Sequence, residues 1–225
     1  MKEIKLPFYR MKRFFEDVLD MPYYKNYAAA SGAVHNIAKH EDAVEDLLIK
    51  HGIKKSSIKR VTKKQKDDWL NGGDHSMLPD NIYISQPCGT HNSPDFIVKV
   101  GGVLYFLECK SASGTTTCPV YNSSYAKTGY IYIFACEKYN ETTTFKGEDI
   151  VTPESSSIYD IMRKRFQQVY EEEFKDDLQK SDINKRGLDY YDRPMYNQRG
   201  GGEYTDYFKH PDRERCEQNV LNHSC

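Results

Sequence analysis

No run in the sequence approaches the roughly 18 to 20 consecutive apolar residues that a membrane span needs. The opening stretch, "MKEIKLPFYRMKRFFEDVLD", is charged throughout and has no apolar core of the kind a secretion signal carries. An intracellular, cytoplasmic protein is the expectation. There is no CxxC pair among the six scattered cysteines, so neither a disulfide framework nor a zinc ribbon is indicated. The nearest approach to a metal cluster by softer ligands is His75 with Cys88 and His91, which lacks a clear fourth partner. No internal repeat is visible, tryptophan occurs once, and the net charge of −1 announces no polyanion partner.

What the chain does have is 225 residues, 38% hydrophobic and 29% charged, enough for one domain with modest appendages. The charge is unevenly spread. Residues 54–66, "KKSSIKRVTKKQK", are densely basic and 171–182, "EEEFKDDLQKSD", are mostly acidic. Each block reads either as a solvated face or, for the basic one with Lys63 and Lys64, as a track for a phosphate backbone. Periodicity predicts helices over 8–20 and 33–51, the second stopped by Gly52, and a long helix beginning at 155 with a serine cap. The stretch leading up to Trp69 is a further helix candidate. Strands are predicted near 82–86, 95–100, 103–110 and 130–136, with loops at 71–81 and 111–129. This order predicts an α/β fold with a mixed central β-sheet flanked by helices.

The most informative segment is "PDFIVKVGGVLYFLECK". Two β-rich runs meet at two glycines, the signature of a two-residue hairpin. If Gly101 and Gly102 form the turn, Val100 faces Val103, and the same register sets Asp95 opposite Glu108 on one face, their Cβ atoms about 5 Å apart. Lys110, two residues on, points to that face, and Cys109 points to the other. Opposed carboxylates repel, so folding alone does not favour them. A divalent cation would, and oxygen ligands with retained waters suit Mg²⁺. A lysine beside such a site can orient a water for phosphodiester hydrolysis. The alternative is a surface hairpin in which Lys110 merely neutralises the acids. On the helix before it, Glu41 and Glu45 fall inside the apolar stripe of Val34, Ile37, Ala38, Val44 and Leu48. A buried carboxylate needs a partner, either the hairpin site, with Glu41 the first choice and Glu45 the second, or a buried tyrosine or arginine.

With Pro94–Asp95, twelve intervening residues, Glu108-Cys109-Lys110 and an acid on the preceding helix, the chain resembles the PD-(D/E)XK nuclease superfamily over about residues 33–136. The resemblance implies a restriction-endonuclease-like core and Mg²⁺-dependent DNA hydrolysis, with Mn²⁺ as a substitute, leaving a 5′-phosphate and a 3′-hydroxyl. It implies Asp95 and Glu108 as metal ligands with Cys109 between them at the metal site. Lys110 would position the attacking water and Glu41 would support it. Where that family commonly places a helix after the lysine strand, this chain has "SASGTTTCPVYNSSYAKTG", which reads as loop. "PVYNSSYAKTGYIYIF" is similar to a segment of some restriction endonucleases, making a Type II enzyme the leading expectation, ahead of a structure-specific or repair nuclease and a non-catalytic DNA-binding protein.

Further residues suit DNA contact. Ser111, Ser113, Asn122 and Lys127 follow the lysine strand and are suited to groove or phosphate contacts. In the Tyr-, Arg- and Gly-rich tail, Asn197 and Gln198 suit adenine and Arg193 and Arg199 suit guanine, although a plain tyrosine-rich surface loop fits the same composition. Double-stranded DNA is the expected partner, with no membrane. A homodimer is expected from the symmetry of palindromic sites, and a monomer cutting the strands in turn is the alternative.

Overall fold

The computed structural model describes residues 5–26, 39–90, 92–121, 125–187, 189–190 and 206–223. Chain order gives α1 (Lys5–Leu19), α2 (His40–Lys50), β1 (Lys54–Lys55), α3 (Lys63–Leu70), β2 (Ile82–Ser85), β3 (Phe96–Val100), β4 (Val103–Ala112), β5 (Tyr130–Cys136), β6 (Glu141–Lys146), α4 (Gly147–Ile150) and α5 (Pro153–Val169). A π-helical turn, Tyr170–Phe174, joins α5 to α6 (Lys175–Ser181), and α7 (Arg213–His223) follows. The strands form one six-stranded mixed sheet in the order β1-β2-β3-β4-β5-β6, parallel at β1–β2 and β4–β5 and antiparallel elsewhere. The α/β expectation holds at this level.

The hairpin register is the predicted one: Val100 pairs with Val103 and Phe96 with Leu107. Gly101 and Gly102 sit at φ +62° and +78°, the left-handed conformation that a tight hairpin turn of this type needs at both central residues. Asp80 fixes the turn by accepting hydrogen bonds from both glycine amides at 2.9 and 3.0 Å. The β4–β5 crossover over 113–129 contains no helix among its described residues, as its sequence suggested.

Alternation along the strands sorts the core into two layers. Phe96, Val98, Tyr105, Leu107, Cys109, Ile131 and Ile133 pack beneath Phe14, Phe15 and Val18 of α1, Val44, Leu47 and Leu48 of α2, and Val220 and Leu221 of α7. Ile97, Phe106, Tyr130, Tyr132, Phe134 and Phe145 face the other way, under Trp69, Tyr121, Tyr207 and Phe208. Glu108 and Lys110 share the parity of Phe106, so they belong to this second face, just beyond its apolar layer.

Several boundaries differ from expectation. α2 begins at His40; its predicted first turns fall in 27–38, outside the described residues. Gly52, at φ +73°, does follow its end. The cap of α5 is Thr152, whose hydroxyl accepts from the Ser155 amide, with Pro153 in the first turn, rather than a serine. Only the end of the basic block, from Lys63, is helical, and a capping box between Thr62 and Gln65 opens that helix. β1, β6, α4 and α7 were not foreseen.

Candidate active site

Asp95 leaves the end of β3 and Glu108 lies on β4 across from it, continuing the register of Phe96 with Leu107. The Asp95 carboxylate is held from both sides. Its Oδ2 accepts from the Cys109 amide at 2.8 Å and its Oδ1 from Gln86 Nε2 at 2.9 Å. Gln86 itself adopts φ +49°, an uncommon backbone conformation for a side-chain-bearing residue, just after β2. Burial, and then the nearby Glu108 charge, push the Asp95 carboxyl up to a pKa of about 6 in spite of those two donors.

Glu108 is 8% exposed. Its Oε1 receives the Lys110 ammonium at 2.6 Å, while its Oε2 is buried and has no hydrogen-bond partner. An ionised oxygen left in that state is costly. The arrangement is that of a carboxylate with one oxygen neutralised by Lys110 and the other buried without a partner.

These groups line a cleft of about 540 Å³ together with Glu41, Cys109, Ser111, Lys127, Ser93 and Tyr132. Glu41 reaches it from the first turn of α2, and burial raises its pKa, with the Asp95 charge adding to the effect. Glu45, one turn on, is committed elsewhere: its Oε1 accepts from the Tyr83 hydroxyl and from Lys55 Nζ, both at 2.7 Å. The alternative anticipated for a buried glutamate, satisfaction by a tyrosine, is therefore what Glu45 adopts. Cys109 packs its thiol into the core under α1 and α2, where burial and then Asp95 raise its pKa well above the usual thiol value. The thiol is thus a packing group, and it is the Cys109 amide that bonds to the Asp95 carboxylate.

Lys127 enters from the β4–β5 crossover, its ammonium 2.5 Å from Ser93 Oγ and over the Tyr130 ring at 5.7 Å. Burial, and then Lys66, lower its pKa from the ordinary lysine value. Lys66 is a residue that the sequence reading passed over within its basic run. Burial opposes its charge, but the Tyr130 hydroxyl and Asp67 outweigh that and raise its pKa. Ser93 and Gln86 were passed over as well; Ser93 adjoins Pro94–Asp95 in sequence, whereas Gln86 meets Asp95 only through the pairing of β2 with β3.

Other predicted residues lie apart. Lys63 and Lys64 are exposed in the first turn of α3, and Ser113 is exposed beyond the end of β4, outside the cleft. Asn122, Arg193, Asn197, Gln198 and Arg199 lie outside the described residues, as does His91. His75 Nε2 is 3.0 Å from the Gly102 carbonyl, beside the hairpin turn.

Among the described residues no group of three or more His, Cys, Asp or Glu side chains is assembled to hold a metal. The donor set that does exist is two carboxylates, one with an orphaned buried oxygen, beside main-chain groups and open cleft. That set fits a hard cation that keeps several waters, such as Mg²⁺, better than one needing a full protein cage. No helix of the described residues is long and apolar enough to cross a membrane. Comparison with family models, with curated proteins and with solved structures returns no match to this chain.

Proposed function

We propose that the chain is a Mg²⁺-dependent, site-specific endonuclease of double-stranded DNA, built on a PD-(D/E)XK core and acting as a Type II restriction enzyme. The observation that carries this reading is the opposed pair Asp95 and Glu108, with Lys110 2.6 Å from one Glu108 oxygen and the other buried without a partner. Nothing in packing favours that arrangement, and a bound cation with phosphate does.

In this reading Asp95 and Glu108 hold the ion. When bound, Mg²⁺ would offset phosphate charge and make a water more acidic; Mn²⁺ would substitute. Lys110, already held by Glu108, orients the attacking water. Lys127 and Ser93 receive non-bridging phosphate oxygens along the cleft wall, a role suited to a partly desolvated ammonium with a hydroxyl beside it. Glu41, with its raised pKa, is a carboxyl able to take up a proton at the cleft edge. Water oxygen attacks phosphorus, the P–O3′ bond breaks, and the departing oxygen is protonated. The products are a 5′-phosphate and a 3′-hydroxyl. Exposed Lys63 and Lys64 contact the duplex backbone, and a two-fold dimer matches a palindromic site.

The test is digestion of a long DNA of known sequence with Mg²⁺, beside a Lys110→Ala lane and an EDTA lane. Discrete fragments lost in both controls are expected. Uncut DNA, or cutting retained by Lys110→Ala, would overturn the assignment, and a smear would overturn its site-specific part.

A further inference from the structure

The long helix after the sheet carries large apolar side chains that no described neighbour covers. None of the side chains of α5 is buried, yet Ile158, Ile161, Met162, Phe166 and Val169 are 58, 50, 44, 47 and 42% exposed, and Phe174 beyond them is 56% exposed. A helix that merely faces water is polar all round; one with an apolar stripe covers something. The described contacts leave the stripe open, and Tyr159, stacked on Tyr125 with ring centroids 5.1 Å apart, tethers α5 through a neighbouring part of its surface.

The π-turn has a purpose in this geometry. At about 100° per residue Ile158, Ile161, Met162, Phe166 and Val169 lie within roughly 140° of one another, whereas Phe174 would fall about 160° from Ile158. The π-turn Tyr170–Phe174 inserts about one residue, which brings Phe174 back to roughly 60° and onto the stripe. The bulge is anchored by Tyr170, whose hydroxyl donates to Asp189 Oδ1 at 2.5 Å. The irregularity extends an apolar face over a rod about 40 Å long, at ~1.5 Å per residue.

The order of charges along the same helix names the occupant of the stripe. Arg163, Lys164 and Arg165 form no ion pair among the described residues, and Glu173 forms none either, while Glu171 pairs with Lys175 and Glu172 accepts from Gln168 along the helix itself. The basic block precedes the centre of the rod and the acidic block Glu171, Glu172 and Glu173 follows it at nearly equal distance. A second copy of the same helix, laid antiparallel about a two-fold axis between Gln167 and Gln168, sets each basic block level with the other's acidic block. The same operation brings Phe166 level with Val169 and Ile161 level with Phe174. A parallel copy would oppose like charges. From this complementarity we infer that the chain forms a two-fold dimer through antiparallel pairing of the 153–181 helix. The inference deepens the dimeric part of the reading above but rests on this helix alone, so cleavage and association fail or succeed separately.

The test is sedimentation of the full chain and of two block variants. One carries Arg163→Glu, Lys164→Glu and Arg165→Glu; the other carries Glu171→Lys, Glu172→Lys and Glu173→Lys. The unaltered chain is expected to be a dimer at micromolar concentration. Each variant alone should associate at least about tenfold more weakly, the equivalent of ~1.4 kcal/mol, and an equimolar mixture of the two should recover the dimer. All six positions are exposed, and recovery in the mixture also shows that both variants fold. A monomeric unaltered chain, unchanged dimerisation of either variant, or a mixture that stays monomeric would overturn the inference. In the first case the stripe serves a different protein; in the second the dimer uses another face.

Discussion

Two titratable residues close to the cleft, partly buried Asp95 and buried His40, oppose one another in their response to pH. In metal-free protein Asp95 has a folded pKa of about 6 against 3.8 unfolded, so the fold holds its proton more tightly. Its contribution to stability is present below pH 3.8 and is lost as the pH rises through 6. His40, 3% exposed against Tyr24, is pulled by burial to about 4 from 6.5, with the Lys110 main chain opposing this only in part. Its contribution is present above 6.5 and is lost as the pH falls through 4. Each is worth up to about 3 kcal/mol at the 1.4 kcal/mol carried by a pKa unit. In the unaltered protein the two slopes largely cancel between pH 4 and 6.5. Asp95→Asn should therefore stabilise metal-free protein by about 1–3 kcal/mol at pH 8 in urea titrations, with little effect near pH 4. The variant should then expose the His40 slope as a stability that falls on acidification. It should also abolish cleavage while leaving DNA binding intact. A variant no more stable than the parent at pH 8 would show that Asp95 is not strained by its surroundings. Gln86 is the matching positioning residue: its amide favours the ionised form of Asp95. Gln86→Leu should raise the Asp95 pKa and carry the acid limb of the cleavage profile with it; an unmoved limb would return Gln86 to a packing role.

At the scale of elements, the sequence foretold best what period and turn chemistry enforce. The Gly101–Gly102 turn set the register, and the register set Asp95 opposite Glu108 without any tertiary knowledge. Gly52 marked the end of α2 for the same reason. β6 escaped because "ETTTFK" looks polar, yet Thr142, Thr143 and Thr144 are all buried, and Thr143 Oγ1 donates to Glu217 of α7 at 2.6 Å. Distant parts of the chain, α7 at Thr143 and Pro22 at Thr142, cover a run that reads as polar. The choice between Glu41 and Glu45 was likewise decided at long range, by Tyr83 and Lys55. One glycine ties the elements to the cleft. A Cβ on Gly147, at the start of α4, would stand 1.8 Å from the Lys127 carbonyl oxygen. That neighbour is main chain and cannot turn aside, so Gly147→Ala must displace the crossover that carries Lys127. A loss of about 1–3 kcal/mol in thermal stability and a raised KM for DNA are expected, and an unaltered KM would detach Lys127 from substrate. On α3, Lys63→Ala with Lys64→Ala should reduce the slope of log affinity against log salt by about 2; an unchanged slope would make that face a solvated one.

At the scale of the molecule, the segment after residue 205 completes the domain that the nuclease-like motif begins. The motif covers less than half of the chain, and the tail was legible only as a composition rich in tyrosine, arginine and glycine. Yet Tyr207 and Phe208 enter the layer on the cleft side of the sheet, their rings tilted against Phe145 and Phe134 at 5.0 and 5.5 Å, while Val220 and Leu221 enter the opposite layer beside α1. Both layers of the core thus draw on one short stretch of chain. Arg213 adds a clasp, reaching Glu217 at 2.8 Å within α7 and Glu141 at 2.9 Å on β6. At about 1.5–3 kcal/mol for each large side chain buried, those four residues contribute on the order of 10 kcal/mol, comparable with the whole stability of a domain at ~5–15 kcal/mol. A chain ending before Asp206 is therefore expected to lose its cooperative thermal transition and its protected β-sheet amides, even though the cleft residues Asp95, Glu108, Lys110 and Lys127 all remain. The 206–223 peptide added in trans should restore some of the transition, because it brings both apolar surfaces back to the sheet. A truncated chain that still melts cooperatively near the parent temperature would show that the sheet and its first two helices suffice, and that α7 decorates a finished domain.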